Sequence, residues 1–201
     1  TDITAIQYAL NNKIPLLKFF LKKELIWVPL LGIAWWGLDF PFMHRHTKEQ
    51  IARRPELKGK DIEATRKACE KFRYTPVSVM NFVEGTRFTQ AKHDKQKSPY
   101  QHLLVPKAGG AAFVLDAMGD SIDTLVDVTI AYPEGKPPGF WALLSGQLER
   151  VIIDVRTHNL DPALWAGDYQ EDAAFRAGVQ RWVSDLWEQK DARIERLQKE
   201  W

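Results

Sequence analysis

The sequence predicts an α/β fold, a single domain whose mostly parallel or mixed central sheet is flanked by helices. Three observations point there. Short apolar, β-branched runs alternate with stretches of helical periodicity from Ile14 onwards. Leu125–Tyr132, L-V-D-V-T-I-A-Y, carries a strong strand signal. No Gly/Ser/Pro-rich linker divides the 201 residues, so 1–201 read as one domain around one core.

The elements follow in order. Ile3–Leu10 reads as a helix with Asp2 placed to cap it. Ile14–Leu21 reads as a strand. Leu25–Leu38, L-I-W-V-P-L-L-G-I-A-W-W-G-L, reads as a helix with Pro29 near its first turn. Three of the eight Trp lie in it, and Asp39 ends it before it reaches membrane-spanning length. It is either a buried core helix or a helix lying in a membrane interface, where Trp prefers the headgroup level. Asp61–Tyr74 places Ile62, Ala68, Cys69 and Phe72 among charges and reads as an amphipathic helix. Val77–Val83 reads as a buried strand that stops at Glu84-Gly85-Thr86-Arg87. Phe88–Tyr100 is polar, Lys-rich and aperiodic, and reads as a loop. Gly109-Gly110 opens an apolar helix that runs through Met118. Leu148–Val155 reads as a further strand. Phe175, Val179, Trp182, Val183, Leu186 and Trp187 form a helical stripe suited to packing on the sheet.

Hydrophobic residues make up 45% and charged residues 27%, which excludes a disordered chain. The net charge of +2 is uneven. Residues 45–73 hold ten Lys/Arg against five Asp/Glu, a local +5, so the remainder carries −3. Such a block suits phosphates or an anionic membrane face, or is simply a solvated helix face. It lacks the interleaved aromatics of a nucleic-acid binder, so no nucleic-acid partner is expected. Cys69 is the only cysteine; no intramolecular disulfide is possible, and its helical position reads as packing. His44 and His46 would share one face of a strand, but no third ligand stands near, so no metal is expected. No signal peptide is evident, and the start at Thr1 without Met reads as a trimmed piece that leaves room for an upstream anchor.

The chemistry gathers at the end of the Val77–Val83 run. Gly85 permits a tight turn or close backbone approach. Arg87 offers a planar fork that matches phosphate oxygens, and a strand's carboxyl edge is where open α/β sheets bind ligands. The alternative is a structural ion pair between Glu84 and Arg87. Lys107, a flexible point charge just ahead of a helix, is the other anion-seeking group.

Phe82-Val83-Glu84-Gly85-Thr86-Arg87 resembles the F-x-E-G-T-R block of the 1-acylglycerol-3-phosphate acyltransferases, the glycerolipid acyltransferase family. Other blocks stand in order around it. Thr1-Asp2-Ile3 is similar to the tail of the first motif, N-H-x-x-x-x-D, with its histidine five residues before Asp2, ahead of Thr1. Lys22, Leu25, Pro29 and Gly32 match a K-x-x-L-x-x-x-P-x-x-G pattern. Phe42 and Arg45 match G-x-x-F-x-x-R, with Asp39 in the glycine's place. Leu103–Gly109, L-L-V-P-K-A-G, resembles L-x-P-x-K-x-G. Val126-Asp127-Val128-Thr129 replaces the usual proline-containing fourth motif. With Trp182–Asp191 it resembles the broader lysophospholipid acyltransferase branch, whose helix reads W-L-x-x-L-[WY]-x-x-K-D.

The resemblance implies a bacterial enzyme that moves a fatty acyl group from acyl-CoA or acyl carrier protein to the free hydroxyl of 1-acylglycerol-3-phosphate, giving phosphatidic acid. It implies no cofactor, since the donor is a co-substrate. It makes Asp2 the catalytic carboxylate that orients the histidine base, and assigns acceptor binding to Arg45, Glu84, Gly85, Thr86, Arg87 and Lys107. Glu84, close to a dianion, would hold Arg87 or the turn, or meet a glycerol hydroxyl. Partners are the lysophospholipid, the acyl donor and a membrane surface, with a place at the cytoplasmic face of the inner membrane. Without the histidine, residues 1–201 alone are expected to be inactive. Alternatives are the same chemistry on a lysophospholipid with a larger head group, or a non-catalytic lipid-binding module that keeps the phosphate grip.

Overall fold

Backbone hydrogen bonding and apolar spacing set out the elements of the computed structural model, which describes residues 2–38, 40, 42–43, 53–54, 60–132, 141, 145–147 and 150–200. The helices are α1 (Asp2–Leu10), α2 (Leu31–Gly37), α3 (Lys60–Cys69), α4 (Gln90–Gln96), α5 (Ala108–Met118) and α6 (Ala173–Gln198). The strands are β1 (Leu17–Lys18), β2 (Leu21–Lys22), β3 (Phe42–Met43), β4 (Ser78–Val79), β5 (Thr124–Ala131) and β6 (Ile152–Asn159). They belong to two compact units, one of residues 1–11, 82–109 and 123–201, the other of residues 12–81 and 110–122.

The chain is mixed α/β, but the expected central sheet takes the form of three two-stranded sheets among the described residues. In the second unit β1 pairs parallel with β4, Leu17 opposite Ser78, and β2 pairs parallel with β3, Leu21 opposite Phe42. The strand expected over Val77–Val83 shrinks to Ser78–Val79, and the Met80 N–H adds one further bond to the Lys18 carbonyl at 2.7 Å. The core here joins α3 to α5. Cys69, Phe72, Ala117 and Met118 are buried together, with Phe20, Val77, Val79 and Ile122 against them. Cys69 is thus the packing residue its spacing predicts. Arg66 reaches the Asp116 carboxylate at 2.8 Å on the rim.

The Trp-rich segment is a 3₁₀ stretch, Lys23–Trp27, followed by α2 rather than one helix. Leu30 at φ 63° breaks the two apart, and Gly32 lies against the Ile26 carbonyl where no side chain would fit. The buried-core alternative is overturned, because Trp27 is 84% and Trp36 68% exposed.

In the first unit β5 and β6 form an eight-residue antiparallel ladder centred near Val128 opposite Val155. The second strand lies four residues further along than the sequence pattern placed it, since register with β5 decides its ends. Helix α6 starts where the Asp172 carboxylate accepts the N–H groups of Ala174 and Phe175 at 2.8 and 3.0 Å. It packs on β5 through the expected stripe, with Val179 and Val183 buried. The stripe continues to Ile194, and Lys190 and Arg193 are buried beside it. Their charges are met from the strands. Lys190 Nζ pairs with the Asp127 carboxylate and donates to the Val128 carbonyl at 2.8 Å. Arg193 reaches Asp127 at 3.0 Å and Asp154 at 3.2 Å. The V-D-V-T run of β5 and Lys190 and Arg193 of α6 are therefore two sides of one buried ionic cluster.

Candidate functional site

The turn after β4 is built by its own sequence. The Gly85 N–H donates to the Phe82 carbonyl at 2.9 Å, closing a four-residue turn, and Gly85 sits at φ 67°. A side chain there would be strained, and its Cβ would also meet Lys107 Nζ at 3.4 Å. Glycine thus lets the turn seat directly on the lysine.

Lys107 comes from a segment, residues 103–107, that belongs to no helix or strand. Five of its backbone groups find partners one by one. Ser98 Oγ donates to the Leu103 carbonyl at 2.7 Å. The Leu104 N–H donates to Glu84 Oε1 at 2.9 Å, and the Leu104 carbonyl accepts Trp187 Nε1–H at 3.1 Å. The Val105 N–H donates to Gln96 Oε1 at 3.1 Å, and the Lys107 N–H to the Val83 carbonyl at 2.8 Å. Leu104 itself is 0% exposed. Lys107 immediately precedes α5, whose amino end adds attraction for anions.

Glu84 therefore holds the Lys107 segment against the turn. The alternative of a structural ion pair with Arg87 is not the arrangement found, and among the described residues Arg87 joins no ion pair. Burial pushes the Glu84 carboxyl up from its ordinary value, opposed by the Leu104 N–H, the charge of Lys190 and Trp187. Thr86, Arg87 and Lys107 are exposed.

The loop expected over Phe88–Tyr100 contains α4, a corrected reading. Thr89 caps it by accepting the Lys92 N–H at 3.3 Å, Lys97 ends it in the left-handed region, and His93 Nε2 meets the Tyr100 carbonyl at 2.7 Å. The Tyr100 carbonyl, followed by Asp94, raises the pKa of His93. From α4, Lys92 Nζ reaches Thr86 Oγ1 at 2.7 Å and the Arg87 carbonyl at 3.0 Å. Sequence reasoning missed Lys92. The Thr89 cap three residues ahead of the Lys92-His93 pair was its one available signal.

Asp2 stands in the first turn of α1, and its Oδ1 accepts the buried Tyr132 hydroxyl at 2.6 Å. Burial first, and this carboxylate second, push the Tyr132 pKa far up, so the phenol stays a donor. Arg45, and with it His44 and His46, lies outside the described residues. The first unit thus brings together Glu84, Gly85, Thr86, Arg87 and Lys107, and holds Asp2 by a separate contact.

Comparison with known proteins gives a consistent picture. The chain is 26% identical over 183 residues to 1-acyl-sn-glycerol-3-phosphate acyltransferase gamma of Mus musculus, covering 87% of this chain and 44% of that protein. It is 26% identical over 186 residues to 1-acyl-sn-glycerol-3-phosphate acyltransferase 3 of Arabidopsis thaliana, covering 88% and 44%. Lysocardiolipin acyltransferase 1 of Danio rerio is 30% identical over 134 residues, 61% of this chain and 32% of that protein. The chain spans less than half the length of these curated relatives. No solved structure matches. The family model for acyltransferases matches residues 1–133, a stretch that holds the Glu84–Arg87 turn, Lys107 and Asp2. With that match over more than half its length, the chain belongs to the acyltransferase family.

Proposed function

We propose that this chain transfers a fatty acyl group from a thioester donor, acyl-CoA or acyl carrier protein, to the hydroxyl of 1-acylglycerol-3-phosphate, giving phosphatidic acid. One observation carries the reading. The Glu84–Arg87 turn is seated on Lys107 and tied to Lys92, and the turn's Thr86 and Arg87 are exposed, as is Lys107 beside Gly85. Lys92 spends two of its three donors on Thr86 and Arg87. Thr86 Oγ1 accepts from Lys92, which leaves its own hydrogen to donate. Such a cluster fits a phosphate dianion, and the names of the mouse and Arabidopsis relatives support a lysophosphatidic acid acceptor.

In this reading Arg45, Arg87, Lys107 and Thr86 hold the acceptor phosphate, while Glu84 and Gly85 shape the turn. The resemblance puts the base five residues before Asp2. The Asp2 carboxylate, fixed through Oδ1 by Tyr132, orients it. The base removes the acceptor's hydroxyl proton, the alkoxide attacks the thioester carbonyl, and collapse of the tetrahedral intermediate expels the donor thiolate. The chemistry needs no metal or resident cofactor. The chain works at a membrane surface, at the cytoplasmic face of the inner membrane. The exposed Trp27, Leu30, Ile33 and Trp36 support such contact, and no described helix is long and apolar enough to cross a membrane. The zebrafish lysocardiolipin relative supports a second reading, the same transfer to a lysophospholipid with a larger head group.

Steady-state kinetics on the intact protein, varying acceptor and donor separately, test the proposal. Charge-assisted hydrogen bonds are worth about 1.5–3 kcal/mol each, so Arg87→Ala should cost roughly 10- to 200-fold in acceptor kcat/KM. Arg87→Lys should recover little, because a point charge cannot reproduce the fork. A variant that loses only donor affinity would move Arg87 to the donor's phosphates. Equal loss with phosphate-free acceptors would remove it from phosphate binding altogether.

A further inference from the structure

We propose that Trp187 and Asp191 of α6 are positioning residues for the acceptor phosphate, acting through the main chain of Gln101–Leu104 to hold Lys107 beside Gly85. The inference rests on the phosphate-grip reading of Lys107 and extends it to residues far away in sequence.

Asp191 accepts two consecutive backbone donors, the Gln101 N–H on Oδ2 at 2.8 Å and the His102 N–H on Oδ1 at 2.7 Å. One helical turn earlier, Trp187 Nε1–H donates to the Leu104 carbonyl at 3.1 Å. The Leu104 N–H is taken by Glu84 at 2.9 Å. The fully buried Leu104 is thus pinned on one side by α6 and on the other by the acid of the phosphate-binding turn. Three residues on, Lys107 leaves this clamp with its N–H on the Val83 carbonyl, next to Glu84. A segment outside any helix or sheet has no ladder to fix its register. Here side chains do that work, and a slip by one residue would carry Lys107 off Gly85. Lys190, between the two clamping residues, lies over the Trp187 ring at 5.7 Å and is anchored to Asp127 on β5. The clamp is therefore rooted in the buried ionic cluster of the first unit.

The test uses the intact protein, acyl-CoA and lysophosphatidic acid. Trp187→Phe keeps the ring and removes the N–H; Asp191→Asn keeps the shape and removes one acceptor. A single hydrogen bond is worth a factor of about 3 to 10, so each should raise acceptor KM by about that factor. The kcat and donor KM should hardly move, while the thermal midpoint should fall modestly, because each change leaves a backbone group of Gln101–Leu104 short of a partner. With a phosphate-free monoacylglycerol acceptor the effect should vanish. Combined with Lys107→Ala, Trp187→Phe should add no further rise, because the two act through one group. Additive losses, or losses confined to kcat and thermal midpoint, would overturn the positioning role. If Lys107→Ala raises acceptor KM while both α6 variants leave it unchanged, the positioning role alone fails. If Lys107→Ala itself has no effect, the phosphate-grip reading fails and this proposal with it.

Discussion

Glu84 shows how much one side chain can settle. It is half-buried, and its Oε1 is the acceptor for the N–H of a fully buried leucine. Burial raises its pKa above the ordinary 4.5. A carboxyl raised in the fold favours the protonated form. Its contribution to stability is fully present below 4.5 and is lost as pH rises through the higher folded value. Glu84→Gln keeps an acceptor and cannot ionise, so the variant should gain on the wild type in thermal midpoint as pH rises above 4.5. A difference that stays flat from acid to neutral pH would disprove the burial argument. Glu84→Ala should instead destabilise by about 1–3 kcal/mol, since it strands the Leu104 N–H. At this scale the sequence pointed to the right turn and left the partner of Glu84 open, as Arg87, the turn or a glycerol hydroxyl. Glu84 and Arg87 are three apart in sequence, and only the return of residue 104 supplies a closer donor.

At the scale of elements, α4 and the Trp-rich segment depart most from expectation, for opposite reasons. Helix α4 buries none of its residues, so no apolar period marks it. It stands on its Thr89 cap and on the His93 contact to Tyr100, and through Lys92 it braces the turn. The Trp-rich run carries ample apolar signal, yet α2 and the 3₁₀ stretch before it leave Trp27, Leu30, Ile33 and Trp36 in solvent. Helical periodicity reports an apolar face without reporting what covers it. If a lipid surface covers this one, Trp27→Ala with Trp36→Ala should weaken co-sedimentation with anionic lipid vesicles several-fold and leave the fold intact. Unchanged sedimentation would refute the interfacial role.

For the molecule, the ionic cluster of the first unit matters most. Asp127 on β5 and Asp154 on β6 face Lys190 and Arg193 on α6, so one cluster ties both strands to the helix. Burial lowers the Lys190 pKa, and Asp127 works against that shift. Removing one partner of a buried pair leaves charge without compensation, which costs about 3–5 kcal/mol. Asp127→Ala should therefore lower the urea midpoint substantially, with Asp127→Asn between it and the wild type. A loss within the range of ordinary surface changes would mean that water, not Asp127, compensates the two cations.

The sequence by itself determined the family, the mixed α/β class, the turn built on Gly85, the packing role of Cys69 and the α6 stripe. Each rests on local spacing or on a motif read in order along the chain. Tertiary structure decided the rest. It divided the strands into three small sheets, set the ends of β6 by register with β5, and placed Lys190 and Arg193 beside a stripe that spacing marked as apolar. It also brought Leu104 between Glu84 and Trp187, residues 103 apart in sequence. Hydrogen bonds and buried charges choose partners by distance in space, and no periodicity along one chain encodes which distant segment will arrive.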